Sequence, residues 1–134
     1  MNEGAHVMKI AVAGVGYVGL VTAVTLADVG HDVICLDVDK GKLKMLKEGI
    51  SPIYEYGLEE LMLKNRERLE FTDDVTKYSE AQVIIIGVGT PEKEDGSADL
   101  SAVFSVADSI ADNCSDGTVV VVKSTVPIGT CESV

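Results

Sequence analysis

Gly14-Val15-Gly16-Tyr17-Val18-Gly19 has the spacing of a GxGxxG loop. Glycines placed in this way bring bare backbone amides up to an anion. The first permits a tight turn, the second removes the Cβ that would hold a diphosphate away, and the third lets a helix close onto the preceding strand. The anion then meets N–H groups and the positive end of a helix dipole. Alone the pattern is weak, and its meaning depends on a strand before it and a helix after it. Here Met8 to Ala13 is an apolar run ended by Gly14, and Tyr17 to Val29 is apolar at helical spacing until Gly30. A second apolar run, Asp32 to Leu36, ends at Asp37, about 20 residues past the glycines. A carboxylate there accepts hydrogen bonds from ribose hydroxyls and repels a 2′-phosphate, which favours NAD over NADP. Lys40 and Lys42 pull the other way, since either ammonium attracts a phosphate. A plain turn and a solvated strand end are the alternatives, and strand, loop, helix and acid together favour a dinucleotide site.

Two hydroxyl residues close later strands. Thr90 follows the run Val83 to Val88, and Thr125 follows Val119 to Val122. Pro91 and Pro127 fix the backbone beyond them, so the hydroxyls are held where ligands of open α/β sheets bind. Ordinary turn chemistry before proline explains the same residues equally well. Cys35, Cys114 and Cys131 form no CxxC and no metal spacing, and read as reduced thiols. Cys35 reads as a small core residue, and Cys131 opens a helix without a visible activating base, so neither is taken as a nucleophile. His31 reads as a turn residue after Gly30, and no metal site is expected.

These residues need elements to hold them. Besides the runs above, Asp39 to Lys47 and Gly57 to Arg66 predict exposed helices, and Leu69 to Thr72 a strand. A short helical stretch follows near Asp74 to Ser79, and a longer helix covers Leu100 to Asn113 after the polar loop Glu92 to Ala98. Thr130 is a candidate cap for a helix beginning at Cys131. Strands with β-branched interiors alternating with helices predict an α/β fold, a Rossmann-type doubly wound parallel sheet in three layers. The four valines of the fifth strand need cover on both faces, so the fold reads as truncated after that strand, and residues 1–134 as one incomplete domain. Such a piece is expected to self-associate or to be poorly stable.

Composition limits the partners. The 134 residues carry 11 Lys+Arg against 22 Asp+Glu, a formal net charge of −11, with 46% hydrophobic residues, 4% aromatics and no Trp. That supports a core and excludes a basic nucleic-acid footprint or an aromatic stacking platform. No run reaches the roughly 18 apolar residues of a membrane span. Met1 to His6 shows no secretory signal, and a cytoplasmic protein is expected.

Taken together, four motifs in order resemble the nucleotide-sugar dehydrogenases, the family of UDP-glucose 6-dehydrogenase. They are the glycine loop, Ser51-Pro52-Ile53-Tyr54-Glu55-Tyr56-Gly57-Leu58, Gly89-Thr90-Pro91, and Ser124-Thr125-Val126-Pro127-Ile128-Gly129-Thr130. The resemblance runs from Met8 to the end. It implies that Gly14, Gly16, Tyr17, Val18 and Gly19 line the diphosphate of NAD and that Asp37 and Lys42 sit by the adenosine ribose. It further implies that Thr90 and Thr125 flank the nicotinamide, that Thr125 positions a catalytic water, and that Tyr54 and Glu55 lie on the substrate side. Tyr56 stands where the family has proline. The family's nucleophilic cysteine, its dimer helix and its UDP-sugar domain lie beyond the matched motifs. By resemblance the whole protein is a homodimer that oxidises UDP-glucose to UDP-glucuronate with two NAD, supplying polysaccharide biosynthesis. This chain alone is expected to bind NAD without turnover. UDP-N-acetylmannosamine or GDP-mannose as substrate, an NAD-sensing module without catalysis, and a hydroxyacyl or sugar-phosphate dehydrogenase remain alternatives.

Overall fold

Along β1 (Lys9–Ala13), Ile10 and Val12 join one apolar cluster while Ala11 and Ala13 join another. Alternation of this kind places a strand inside a sheet covered on both faces. The computed structural model describes residues 6–134. The elements after β1 are α1 (Tyr17–Asp28), β2 (Asp32–Leu36), α2 (Lys40–Lys47), α3 (Leu58–Lys64) and β3 (Leu69–Thr72). They continue with β4 (Val83–Ile86), α4 (Ser101–Asn113), β5 (Val119–Val122) and α5 (Thr130–Ser133), and 3₁₀ turns span Arg66–Arg68 and Val75–Glu80. Five strands form one sheet in the order β3-β2-β1-β4-β5, and every neighbouring pair is parallel. The order reverses between β1 and β4, and ligands of such sheets bind in the crevice at that point.

Sequence explains most of these elements. In α1, Leu20, Ala23, Val24 and Ala27 are buried at helical spacing against the sheet. The helix stops at Gly30, which takes φ +109 and has no Cβ to oppose it. Asp39 caps α2 by accepting the Lys42 amide at 3.1 Å, and Leu43 and Leu46 turn inward. One face of the sheet, with Val12, Val33 and Cys35, packs under Leu20, Val24, Leu46 and Met62. The other, with Ile34, Leu36, Ile84 and Ile86, packs against Tyr78 and Ile110. Truncating a fully buried residue such as Ile84 to alanine would cost about 2–5 kcal/mol.

The structure departs from the sequence reading in four places. α3, expected to be exposed, buries Leu58 and Met62 against α1. β4 ends at Ile86, two residues early, because Gly87 crosses the glycine loop. The loop after Pro91 folds back through a bridge between Glu92 and Ala98. Thr130 does not cap α5: Gly129, at φ +90, occupies the cap, and Thr130 is the first helical residue. Its hydroxyl donates instead to the Pro127 carbonyl at 2.8 Å. β5 is an edge strand, with Val119, Val120 and Val121 at 56%, 38% and 41% exposure. Met1 to Ala5, on which the expectation of no secretory signal mostly falls, lie outside the described residues.

Candidate functional site

The glycine loop joins the end of β1 to the start of α1, and each glycine meets a different demand. Gly14 takes φ +102, and a Cβ there would press on the Gly87 carbonyl oxygen at 2.9 Å. A Cβ on Gly19 would overlap the Gly14 carbonyl, so the helix closes on the turn only without one. Gly16, the cap of α1, faces open space, with nothing within 4 Å of an added Cβ. That gap is where a diphosphate approaching the backbone would sit. The first helical bond runs from the Leu20 amide to the Gly16 carbonyl at 2.9 Å. The amides of Tyr17, Val18 and Gly19 precede it and have no carbonyl one turn back, which leaves them for an anion. These residues therefore fit a dinucleotide diphosphate.

Asp37 stands half-buried beyond the last residue of β2. Its Oδ2 accepts the Val15 amide at 2.9 Å and its Oδ1 the Asp39 amide at 2.8 Å. Each carboxylate oxygen keeps further accepting capacity, so ribose hydroxyls can still be bound. Lys42 lies in the first turn of α2, half-buried. Lys40 is exposed and reaches Asp73 at 4.0 Å, a contact of little energetic weight. Tyr78, 3% exposed, lies in the core on the β2 side. Burial first, and the Asp37 charge second, push its phenol up to about 12.

On the other side of the crevice the two threonines meet. The Thr90 hydroxyl donates to the Thr125 carbonyl at 2.8 Å, and the Ser124 hydroxyl donates to the Val88 carbonyl at 2.7 Å. The ends of β4 and β5 are thus fastened by side chains where strand pairing stops. Tyr17, 57% exposed at the start of α1, faces Glu55. The neighbouring Glu55 carboxylate, by attracting the hydroxyl proton and by its charge, holds the Tyr17 phenol above its usual value of 10.0. The loop before α3 is in this way brought against the phosphate-binding end of α1. Tyr54 and Tyr56 project from the same loop, 97% and 95% exposed.

Other candidates fall elsewhere. The His31 ring accepts the Met8 amide at Nδ1, 3.1 Å away, and so joins β1 to the turn before β2. Cys35 is fully buried and its thiol is pushed up to about 12 by that burial. Cys131 is exposed on α5, sharing a depression with Cys114, Val120 and Val122. Among the described residues no group of three or more His, Cys, Asp or Glu side chains is gathered as a metal site, and no helix is long and apolar enough to cross a membrane. The site is an open crevice. An apolar depression of about 280 Å³ among Leu46, Gly49, Met62, Leu63, Leu69 and Phe71 belongs to the α2–α3–β3 side and includes none of the site residues.

Gly87 and the Val15–Asp37 bond escaped the sequence reading. Gly87 carries only a weak signal, as a glycine in an apolar strand run, a place where another backbone often comes close.

A sheet order of 3-2-1-4-5 with a glycine loop, an acid and two hydroxyl strand ends around its reversal point defines a dinucleotide-binding domain of the doubly wound α/β class. Residues 8–134 match the NAD binding domain of the UDP-glucose/GDP-mannose dehydrogenase family, and the chain belongs to that family. Its cofactor is NAD. The chain is 52% identical over 131 residues to the UDP-glucose 6-dehydrogenase of Rhizobium meliloti (strain 1021), a match over 95% of this chain and 30% of that protein. Among solved structures, the GDP-mannose dehydrogenase of Pseudomonas aeruginosa in a ternary complex is 40% identical with a TM-score of 0.89, covering 95% of this chain and 30% of that one. The UDP-glucose dehydrogenase of Pyrobaculum islandicum is 38% identical with a TM-score of 0.87, covering 97% and 32%. The chain thus spans roughly 30% of the length of these relatives.

Proposed function

We propose that this chain is the cofactor-holding part of a UDP-glucose 6-dehydrogenase, an oxidoreductase that converts UDP-glucose to UDP-glucuronate with two NAD. The observation that carries the reading is the open space at Gly16 above the amides of α1, with Asp37 on one side and the joined Thr90 and Thr125 on the other. The amides of Tyr17, Val18 and Gly19 bind the diphosphate, while Asp37 and Lys42 orient the adenosine ribose. Thr90, anchored on Thr125, lines the nicotinamide end, and Thr125 positions a water there. Tyr54 and Glu55 face the nucleotide sugar, with Glu55 beside Tyr17 at the end of the phosphate helix. When bound, the nicotinamide accepts hydride from the sugar alcohol, and the protein supplies orientation and electrostatics.

Substrate identity rests on the relatives' names, since a GDP-mannose dehydrogenase shares the same cofactor fold. The three free thiols suit a reducing, cytoplasmic setting, and the family resemblance extends the proposal to a homodimeric whole protein. A domain that only senses NAD is the second reading. The hydroxyl-fastened strand ends favour the enzyme, because a sensor has less use for a fixed nicotinamide end.

Calorimetric titration of the chain with NAD and NADP tests the proposal. NAD is expected to bind more tightly, with the preference reduced in Asp37→Ala. UDP-glucose with NAD is expected to give no NADH, because the chain matches the NAD binding domain and spans roughly 30% of its relatives' length, without the part that would hold the sugar against the nicotinamide. Absence of NAD binding would overturn the cofactor assignment, and steady NADH production by the chain alone would overturn the division of labour.

A further inference from the structure

We infer that Asp37 has a second task besides meeting the ribose: it is a positioning residue that sets the shape of the phosphate loop. This rests on the reading above, that the loop holds the cofactor's diphosphate. The loop's first two residues are both tied to the end of β2. Gly14 donates its amide to the Leu36 carbonyl at 2.8 Å, and Val15 donates its amide to Asp37 Oδ2 at 2.9 Å. The second carboxylate oxygen takes the Asp39 amide at 2.8 Å, so the carboxyl group bridges the phosphate loop and the cap of α2. Val15 is fully buried, and its amide lies away from water. Without an acceptor there, that N–H would stay unsatisfied or turn towards the crevice.

The consequence concerns which amides the anion meets. With Val15 held by Asp37, the loop presents the later amides of Tyr17, Val18 and Gly19 over the open space at Gly16. Release of Val15 removes one of the two bonds that lace the turn to β2. Gly14, at φ +102 and with no room for a Cβ beside Gly87, is then less firmly fixed. Asp37 therefore acts on the diphosphate through the backbone, as well as on the ribose directly. Asparagine cannot replace it fully. Its single oxygen can accept from Val15 or from Asp39, while its amide donates towards the other N–H.

Ligands with and without the ribose hydroxyls separate the two tasks. The affinities of ADP and of 2′,3′-dideoxy-ADP are measured by calorimetry for the unaltered chain, Asp37→Ala and Asp37→Asn, with a thermal melt of each. Dideoxy-ADP cannot bond Asp37 through ribose hydroxyls, and loss of the Asp37 charge by itself favours an anion, so a weakening of its binding on substitution comes through the loop. Asp37→Ala is expected to weaken dideoxy-ADP about tenfold, and Asp37→Asn by less. Faster hydrogen exchange at the Val15 amide, with Leu20 unchanged, is expected in both. Equal dideoxy-ADP affinity in all three proteins overturns the inference and leaves the ribose contact standing. If the unaltered chain binds neither ligand, the diphosphate reading falls and the inference with it. Where Asp37→Ala melts without cooperativity, the comparison of Asp37→Asn with the unaltered chain decides on the same criteria.

Discussion

At Gly19 an added Cβ would overlap the Gly14 carbonyl, whereas at Gly16 it would meet nothing within 4 Å. The same substitution therefore separates folding from binding. Gly19→Ala must push α1 off the turn, and is expected to cost about 4 kcal/mol or more or to prevent folding, a magnitude reserved for severe overpacking. Gly16→Ala keeps an ordinary backbone, φ −73. It replaces one cap residue by a poorer one and is expected to cost less than about 1 kcal/mol. The new methyl group fills the space proposed for the diphosphate, so NAD binding should fall by about tenfold or more while the melt barely moves. Equal NAD affinity in Gly16→Ala would show that the diphosphate lies elsewhere. The sequence pattern alone could assign these roles, because each follows from the absence of a side chain at a fixed step along a strand–turn–helix. What lay out of reach was Gly87, whose partner glycines are distant in the chain and meet it only when β4 is laid beside β1.

The crevice is built by elements whose ends are fastened in different ways. β1 and β2 continue into the loop and into Asp37 through backbone bonds, including the Gly14 amide to the Leu36 carbonyl. β4 and β5 share backbone bonds only as far as the Ile86 carbonyl, which accepts the Lys123 and Ser124 amides, and beyond it their ends are joined by side chains, Thr90 to the Thr125 carbonyl and Ser124 to the Val88 carbonyl. Thr90→Val keeps the shape and removes the first of these bonds. The expected loss is about 1 kcal/mol, or roughly 4 °C in the melt of a chain of this size, with weaker NAD binding and an unchanged response to ADP, which lacks the nicotinamide. An equal loss for ADP and NAD would place Thr90 away from the nicotinamide end. The strands and helices themselves were legible, since runs such as Val83 to Val88 and the buried spacing of α1 need no tertiary information. The errors fell at their ends. Thr130 has the residue type of a cap, yet Gly129 at φ +90 turns the chain one residue earlier and makes the threonine helical. The face of α3 that meets α1 was hidden because Leu58 and Met62 stand among charges that suggested full exposure.

Across the whole molecule, two groups buried in the neutral form make stability depend on alkaline pH. Burial holds the Cys35 thiol up at about 12 from 9.0 and, with a smaller contribution from Asp37, the Tyr78 phenol up at about 12 from 10.0. In the unfolded chain both lose their protons near the ordinary values, while the folded chain keeps them. The unfolded state therefore binds fewer protons above about pH 9, and stability falls as pH rises. Their contribution is complete below 9.0 and is lost on the way to about 12. Lys77, held above its usual 10.5 by hydrogen bonds to Glu80 and then Glu70, adds to the fall at the upper end. The formal charge, already −11 at pH 7, grows more negative over the same range and opposes compaction further. Denaturant midpoints are accordingly expected to be level from pH 7 to about 9 and to lose at least about 1 kcal/mol by pH 10.5. Cys35→Ala and Tyr78→Phe should each flatten that slope, Cys35→Ala from the lower pH, even though both lower the midpoint at pH 7 by removing buried atoms. Alkylation of Cys35 reports the same opening, since a fully buried thiol reacts only when the sheet comes apart, whereas the exposed Cys131 is labelled in the native fold. Identical slopes in the unaltered chain and both variants would assign the alkaline loss to general charge repulsion and remove the two buried groups from the explanation.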